Sequence, residues 1–537
     1  MGFCSADRSF DRRLKSGARI IVTDHNCEAM RTRYYRPGIP TCPIVRSYLP
    51  EFVGSNKCTH CLEEALYTRL CGVSPQPTAH GKKVFRLGKN ILLNKFKSLN
   101  LTPIDYLDVL NRYEGGKRKR YVFALDNVLN GRSSLKRDSR ITVFTKKEKL
   151  APLKPARTIQ ARQPEYNIRL ARYTIPLERL VYGMNCPAKY GKAQMFSAGC
   201  DDFQRAEQII RHWNQFIDPV CLQLDYSRFD KNVRRYQLAA EHDLYCKAYG
   251  EDGFLKNLLS LQLVNKGSNR EGTVKYTVEG TRASGDMNTL MGNCIINACM
   301  ILGCIAENKL NVRFLICGDD ALVFCENRDL DRVKSALLRD INDMGHVLKV
   351  EGVAYVPQQI KFCSSNPLCR DDGKWFMYRD FRKVLGGYGQ THKHHQNIGG
   401  LSVLKTMAYA DLLTQNGCPI VCAHYKSIID NLDKFRLSRA LFLDDDFRGW
   451  MRRSGLGSMS SKDCLSFLRS QEISYRLPSR HMRAQYELAF DISPVEQELL
   501  ENHMEFSRPD YDRWCIEQAP CYGWPLDRCN CRKLGAS

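Results

Sequence analysis

Downstream of Asn185 the chain alternates short apolar runs rich in β-forming residues with longer stretches whose apolar side chains recur every three to four positions. That texture predicts a mixed α/β core. Residues 220–224, 273–278, 347–350 and 360–364 read as strands, and residues 232–249 as a helix. Residues 288–306 form a helical pattern so apolar that it must be buried, and 329–344 an amphipathic helix stopped by Gly345 at a C′ position. Two apolar runs, 312–317 and 321–325, flank Gly318-Asp319-Asp320, which predicts a hairpin with two carboxylates at its tip. Beyond about residue 380 helical periodicity dominates. Upstream the texture is less regular: residues 1 to about 80 are mixed and Cys-rich, and Ser74-Pro75-Gln76-Pro77 reads as a boundary or linker.

With 537 residues the chain can bury several cores, which excludes a small scaffold. Its 81 Lys and Arg against 58 Asp and Glu give a formal charge of +23, which favours a polyanionic partner; nucleic acid and an anionic membrane both fit. The excess lies between Lys82 and Arg172, where Lys117-Arg118-Lys119-Arg120 and Lys146-Lys147-Glu148-Lys149 read either as solvated faces or as anion-binding patches. The longest apolar stretch, from Ile295 to Ala306, is too short to span a bilayer, and it includes the polar Asn297. No transmembrane segment and no secretory signal are expected. The 24 cysteines are scattered, so reduced thiols in a cytosolic protein are the expectation. Structural Zn²⁺ is a candidate at Cys58-Thr59-His60-Cys61, with Cys42 and Cys71 as further ligands, and at Cys515, Cys521, Cys529 and Cys531. Neither set forms a regular paired arrangement, and buried free thiols are the alternative. The His-rich run 390–395 reads as a solvated loop.

The acids at the hairpin matter only if the rest of a metal site lies upstream. Leu224-Asp225-Tyr226-Ser227-Arg228-Phe229-Asp230 is a strand end running into a turn and then a helix. A continuing strand would put Asp225 and Asp230 on opposite faces, so the turn is needed to swing Asp230 toward the same cleft. Between the acidic segments, Ser284-Gly285-Asp286-Met287-Asn288-Thr289-Leu290-Met291-Gly292-Asn293 is a polar loop opening the apolar helix. Ser284 or Asp286 could be a helix cap, yet Asn288, Thr289 and Asn293 carry polarity into helical turns where an apolar helix has no need of it.

Taken in order, Asp225-x4-Asp230, Ser284-Gly285-x3-Thr289-x3-Asn293 and Gly318-Asp319-Asp320 resemble motifs A, B and C of viral RNA-dependent RNA polymerases. Residues 154–167, Lys-Pro-Ala-Arg-Thr-Ile-Gln-Ala-Arg-Gln-Pro-Glu-Tyr-Asn, are similar to the basic motif F and look most like tombusviruses, with flavivirus-type enzymes next. Lys349 resembles the motif D lysine and Phe362-Cys363-Ser364 motif E. The resemblance covers residues 150–365. It implies a right-hand fold, with fingers at 80–184 and 236–283, a palm at 185–235 and 284–375, and a mostly helical thumb at 376–537, after an N-terminal region 1–80 of unassigned role.

The implied activity is RNA-directed RNA polymerisation, in which two Mg²⁺ ions about 4 Å apart, with Mn²⁺ as a substitute, serve nucleotidyl transfer from ribonucleoside triphosphates to an RNA 3′ hydroxyl. By resemblance Asp225 and Asp319 bridge the metals and Asp320 is a further ligand. Asp230, Ser284, Thr289 and Asn293 read the ribose. Lys154, Arg157 and Arg162 line the nucleotide channel and neutralise triphosphate, and Lys349 donates a proton to the leaving pyrophosphate. Template and product RNA are the implied partners, with a separate membrane-anchored replication protein, at membrane-associated complexes in the host cytoplasm. A reverse transcriptase and a non-catalytic basic RNA-binding protein are the competing classes. Cys317-Gly318 before the acids, with polar Ser284 and Asn293, sets the chain apart from the first. Four acids among strands otherwise surrounded by basic residues have no place in the second.

Overall fold

The computed structural model describes residues 11–24, 42–50, 53–54, 58–150, 154–186, 193–387, 397–437, 445–472 and 474–504. The principal strands are β1 (Arg19–Val22), β2 (Ile141–Thr145), β3 (Thr158–Arg162), β4 (Pro219–Tyr226), β5 (Val264–Ser268), β6 (Val274–Glu279), β7 (Arg313–Cys317), β8 (Asp320–Glu326), β9 (Leu348–Ala354), β10 (Ser365–Cys369) and β11 (Trp375–Arg379). The helices that frame the site are α1 (Ala79–Lys97), α2 (Gly115–Leu129), α3 (Pro164–Tyr182), α4 (Asp202–Trp213), α5 (Arg235–Ala248), α6 (Thr289–Asn308) and α7 (Leu330–Asp343). Helices dominate after residue 380, with Asn397–Gln415, Val421–Asn431, Arg480–Phe490 and Pro494–Asn502 among them. The fold is therefore mixed helix and sheet.

A four-stranded antiparallel sheet in the order β9-β4-β8-β7 sits at the centre. Alternation along its strands feeds two cores. Leu222, Leu224, Tyr226, Ile316 and Val323 join α6, α1 and α7 in the largest one. Cys221, Leu315, Leu322 and Phe324 pack on the other face with Ala206 and Ile209 of α4 and with Met377 of β11. A second sheet, in the order β1-β6-β5-β2-β3, brings β3 beside the loop that opens α6. Helix α6 is long and apolar enough to cross a membrane, but 83% of its apolar window is buried inside the protein, which is the signature of a core helix.

Three expectations are corrected. Residues 360–364 are not a strand. Phe362 and Ser365 exchange backbone hydrogen bonds of 2.8 and 3.0 Å across a two-residue turn in which Cys363 and Ser364 both have positive φ, and the strand begins at Ser365. No Gly or Asn marks that turn in the sequence. Residues 74–77 are a packed strap instead of a linker. Ser74 is buried, the Pro75 carbonyl accepts from Arg234, and the Thr78 N–H donates to Asp343 O at 2.8 Å. Capping by Ser284 or Asp286 also fails, since the N-cap of α6 is Asn288 and no side-chain bond closes it. In the same N-terminal region, β1 pairs with β6 and Leu14 bridges to Gly72, so the first described residues are woven into the larger sheet.

Candidate active site

The β7–β8 turn has Gly318 at its first central position with φ +72°, while Asp319 lies on the ordinary side of φ. This is the pattern of a type II′ turn, and glycine is the residue that adopts it without strain. Helix α6 fixes the turn from beneath. Asn297 Nδ2 donates to Gly318 O at 3.2 Å and to Asp319 O at 3.4 Å, Asn297 Oδ1 accepts from the Tyr226 hydroxyl at 2.8 Å, and the Gly318 N–H donates to Cys294 Sγ at 3.1 Å.

Ala321 pairs with Leu224, so one further step of register sets Asp320 opposite Asp225, and Lys349 pairs with Asp225 on the other side. Paired residues share a face, which places Asp225 between an acid and a lysine. A bulge between Val350 and Gly352 adds Glu351 to β9, and Glu351 bears on Asp225 electrostatically.

Asp319 and Asp320 are open to solvent by surface area, yet the protein around them makes desolvation the largest influence on both. Acids on the floor of a cleft have both properties. Burial and then Asp319 push the Asp320 carboxyl up to about 6, and burial and then Asp225 raise Asp319 despite a backbone hydrogen bond and the nearby Arg157. Burial and Glu351 raise Asp225, against the opposing pull of Lys349, Lys361 and Lys154. These are hard oxygen donors that repel one another, a donor set that suits a divalent cation such as Mg²⁺. Among the described residues, no three His, Cys, Asp or Glu side chains are drawn together closely enough to hold an ion.

Beside the acids, Arg228 takes a left-handed conformation, φ +57°, that turns the chain after β4 and brings Asp230 back toward the cleft. Asn293 Nδ2 donates to Asp230 Oδ1 at 2.8 Å, and burial pushes Asp230 up to about 6 against that bond. Ser284 and Thr289 are both engaged within the protein. The Ser284 hydroxyl donates to Thr158 O at 2.8 Å, and the Thr289 hydroxyl faces Ala283 O and Asp286 O at 3.0 and 2.8 Å.

The basic residues divide. Lys154 is exposed and acts on Asp225. Arg157 is half-exposed, grips Glu148 with Nε at 2.7 Å and bears on both Asp319 and Asp230. Arg162 is buried, and its five donors are all spent inside the protein. Asp286 takes Nε at 2.5 Å and Nη2 at 3.2 Å, Asn265 takes Nη2 at 2.6 Å, and Nη1 reaches Ser139 O and Leu261 O. It has no donor left for a phosphate, so its expected place in the nucleotide channel is not where this structure puts it.

Asn297, Cys294, Arg282, Glu241, Glu148 and the Arg162–Asp286 link were not singled out from the sequence. Asn297 had a signal: an amide deep in the most apolar helix, one turn beyond Asn293. Of the zinc candidates, Cys58 caps the helix Thr59–Leu66 through the Cys61 N–H, and Cys71 is buried. Residues 390–395 and the Cys515–Cys531 cluster lie outside the described residues.

A family model described as viral RNA dependent RNA polymerase matches residues 52–510. Curated relatives, each called RNA-directed RNA polymerase, include that of oat chlorotic stunt virus, 32% identical over 82% of this chain and 58% of the relative. Those of tobacco necrosis virus (strain A) and carnation mottle virus are 30% and 31% identical over 76% and 75% of this chain and 56% and 51% of their own lengths. The chain thus spans a little over half the length of these relatives. With a match reaching across nearly all of the described core, the chain belongs to the viral RNA-dependent RNA polymerase family, among relatives of the tombusvirus type.

Proposed function

We propose that the chain copies viral RNA, adding ribonucleotides to an RNA 3′ hydroxyl under the direction of an RNA template and releasing pyrophosphate. The observation that carries this reading is the meeting of Asp225 with the Asp319-Asp320 turn on adjacent strands, with the Asp230–Asn293 pair beside them and Arg157 bearing on the same acids. Asp225 and Asp319, with Asp320 adjoining, would hold two Mg²⁺ or Mn²⁺ ions, which when bound activate the attacking hydroxyl and neutralise the leaving group. Arg157 and Lys154 are assigned to the triphosphate, a role that suits an Arg fork and a Lys point charge. Asp230 and Asn293 are assigned to the sugar. Ser284 and Thr289 shape the loop that presents these groups, and Arg162 anchors that loop from behind. Lys349, in register with Asp225, is the assigned proton donor to pyrophosphate.

In this reading the four-stranded sheet is the palm (185–235 and 284–375), the larger sheet with α2 and α3 belongs to the fingers (80–184 and 236–283), and the helices after 376 form the thumb. Template and product would be tracked through their phosphates by the basic surfaces, which gives RNA binding a steep salt dependence. A separate membrane-anchored replication protein and a site at cytoplasmic membranes of the host follow from the resemblance alone.

Primer extension on an RNA template with Mg²⁺ tests the proposal. Wild-type protein should incorporate labelled ribonucleotide, while Asp319→Ala should bind RNA normally and incorporate none. Failure of the wild type to extend, or full activity in Asp319→Ala, refutes the reading.

A further inference from the structure

The Asp230–Asn293 pair is itself held by a buried ionic network that reaches no substrate. Arg282 is 1% exposed. Its backbone N–H donates to Asp230 O at 2.9 Å, its Nε donates to Asn293 Oδ1 at 3.0 Å, and its Nη2 donates to the Glu241 carboxylate. The Glu241 side chain is wholly buried, and its second oxygen accepts from Asn288 Nδ2 at 3.0 Å and the Tyr245 hydroxyl at 2.7 Å. Asn288 is in turn held by Gln262 Nε2 at 3.0 Å, so the polar groups of the network satisfy one another. Helix α6 makes room for this. A Cβ at Gly292 would overlap Glu241 Oε1 and Arg282 Nη2, so glycine stands in the helix because the ion pair fills the space of its side chain.

The network decides which way round the Asn293 amide stands. A guanidinium faces its oxygen and a carboxylate faces its nitrogen, so both neighbours require the same orientation. With Oδ1 spent on Arg282 and one N–H spent on Asp230 Oδ1, the pair retains one Asn293 N–H as donor and Asp230 Oδ2 as acceptor. A hydroxyl both donates and accepts, and a site offering one of each rejects a substrate without it, because its own groups are then left unmatched.

We propose that the buried Glu241–Arg282 ion pair is a positioning device for sugar selection, fixing the Asn293 amide so that Asn293 and Asp230 together present one donor and one acceptor to a ribose 2′-hydroxyl. The inference rests on the ribonucleotide reading of the site given above. Arg282, Glu241 and Gly292 touch no substrate in this scheme. They act through Asn293.

The test is the ratio of kcat/KM for a ribonucleoside triphosphate over its 2′-deoxy counterpart, measured on one RNA template. It compares wild type, Asn293→Ala, the double variant Glu241→Leu/Arg282→Met, and Gly292→Ala. The double variant removes both charges together, so no buried charge is stranded; Gly292→Ala keeps both charges and displaces them. All three variants should lose about tenfold in the ratio, the equivalent of one oriented hydrogen bond, through poorer use of the ribonucleotide and not better use of the deoxynucleotide. A folded double variant with the wild-type ratio, alongside an Asn293→Ala that loses it, overturns the positioning role and leaves the ribose reading standing. A wild-type ratio in Asn293→Ala overturns the ribose reading and the inference with it. Should the double variant fail to fold by thermal melting, an unchanged ratio in Gly292→Ala overturns the positioning role in its place.

Discussion

Replacing Asn297 with leucine strips the acidic turn of its support while keeping the number and branching of the side chain's heavy atoms. Asn297 is fully buried, and its amide ties α6 to two other segments: the Tyr226 hydroxyl of β4 at 2.8 Å, and the Gly318 and Asp319 carbonyls of the turn at 3.2 and 3.4 Å. The 3.4 Å contact is marginal, so two bonds are counted. Each leaves behind a polar group shielded from water, at about 1–3 kcal/mol apiece, giving a loss of about 2–4 kcal/mol once partial relaxation is allowed. For 537 residues the unfolding entropy of about 2.1 cal/mol/K per residue is about 1.1 kcal/mol/K, so the melting midpoint should fall by about 2–4 °C, and by more if the sheet unfolds as a smaller unit.

The catalytic effect should exceed the loss of stability. An acid displaced by about 1 Å costs on the order of a hundredfold in rate, so single-nucleotide addition should slow by that order while RNA affinity is unchanged. The double variant with Tyr226→Phe isolates the coupling. With the orphaned hydroxyl gone, it should be more stable than the sum of the single changes by about 1 kcal/mol. Wild-type rate and melting in Asn297→Leu, or strict additivity with Tyr226→Phe, would refute the argument that α6 aims the turn through this amide.

Arg162 and Arg157 should separate cleanly. Arg162→Met strands Asp286 without its partner in the interior and should cost about 3–5 kcal/mol, read as loss of soluble folded protein or a sharply lowered melting midpoint. Arg157→Ala, at a half-exposed pair, should melt within about 1 kcal/mol of wild type and show its effect as a raised KM for nucleotide, so a large melting shift would refute its assignment. Lys15 gives a pH signature. Burial, then Arg234, lowers its amine to about 7 from 10.5, so between those values the unfolded chain binds the extra proton and stability rises with pH. From pH 7 to pH 9 wild type should gain about 2 kcal/mol relative to Lys15→Met in denaturant unfolding, and a difference that does not change with pH would count against a buried, neutral Lys15.

What the sequence made legible was what repeats locally. Short continuous apolar runs located β4, β7 and β8, and helical periodicity located α5, α6 and α7 with the stop at Gly345, whose φ is +89°. The expected swing of Asp230 after Asp225 has its physical basis in one left-handed residue, Arg228. Partnerships made across the chain were not legible. Nothing in a run of basic residues tells which arginine meets an acid 124 positions away, as the buried Arg162 does and the half-exposed Arg157 does not. Likewise, the polarity of Ser284, Asp286 and Asn288 suits a cap as well as a cross-link, and tertiary packing chose cross-links to β3, Arg162 and Glu241.

The two ways of anchoring the site follow a common electrostatic logic. The loop before α6 is pinned at both ends by buried arginines, Arg282 to Glu241 and Arg162 to Asp286. Such pairs add little net stability, since apolar replacements of similar volume are often as stable, but breaking one half is costly, so they hold geometry more than they stabilise. The acidic turn is held differently, by the neutral Asn297 amide and the Cys294 thiol. An arginine in their place would pair with Asp319 or Asp320 and cancel the negative potential that, after burial, raises those carboxyls and favours a cation. Neutral partners, an amide that donates and a thiol that accepts, fix the turn and leave that potential in place, which is why the amide most easily overlooked in an apolar helix is the one on which the acids depend.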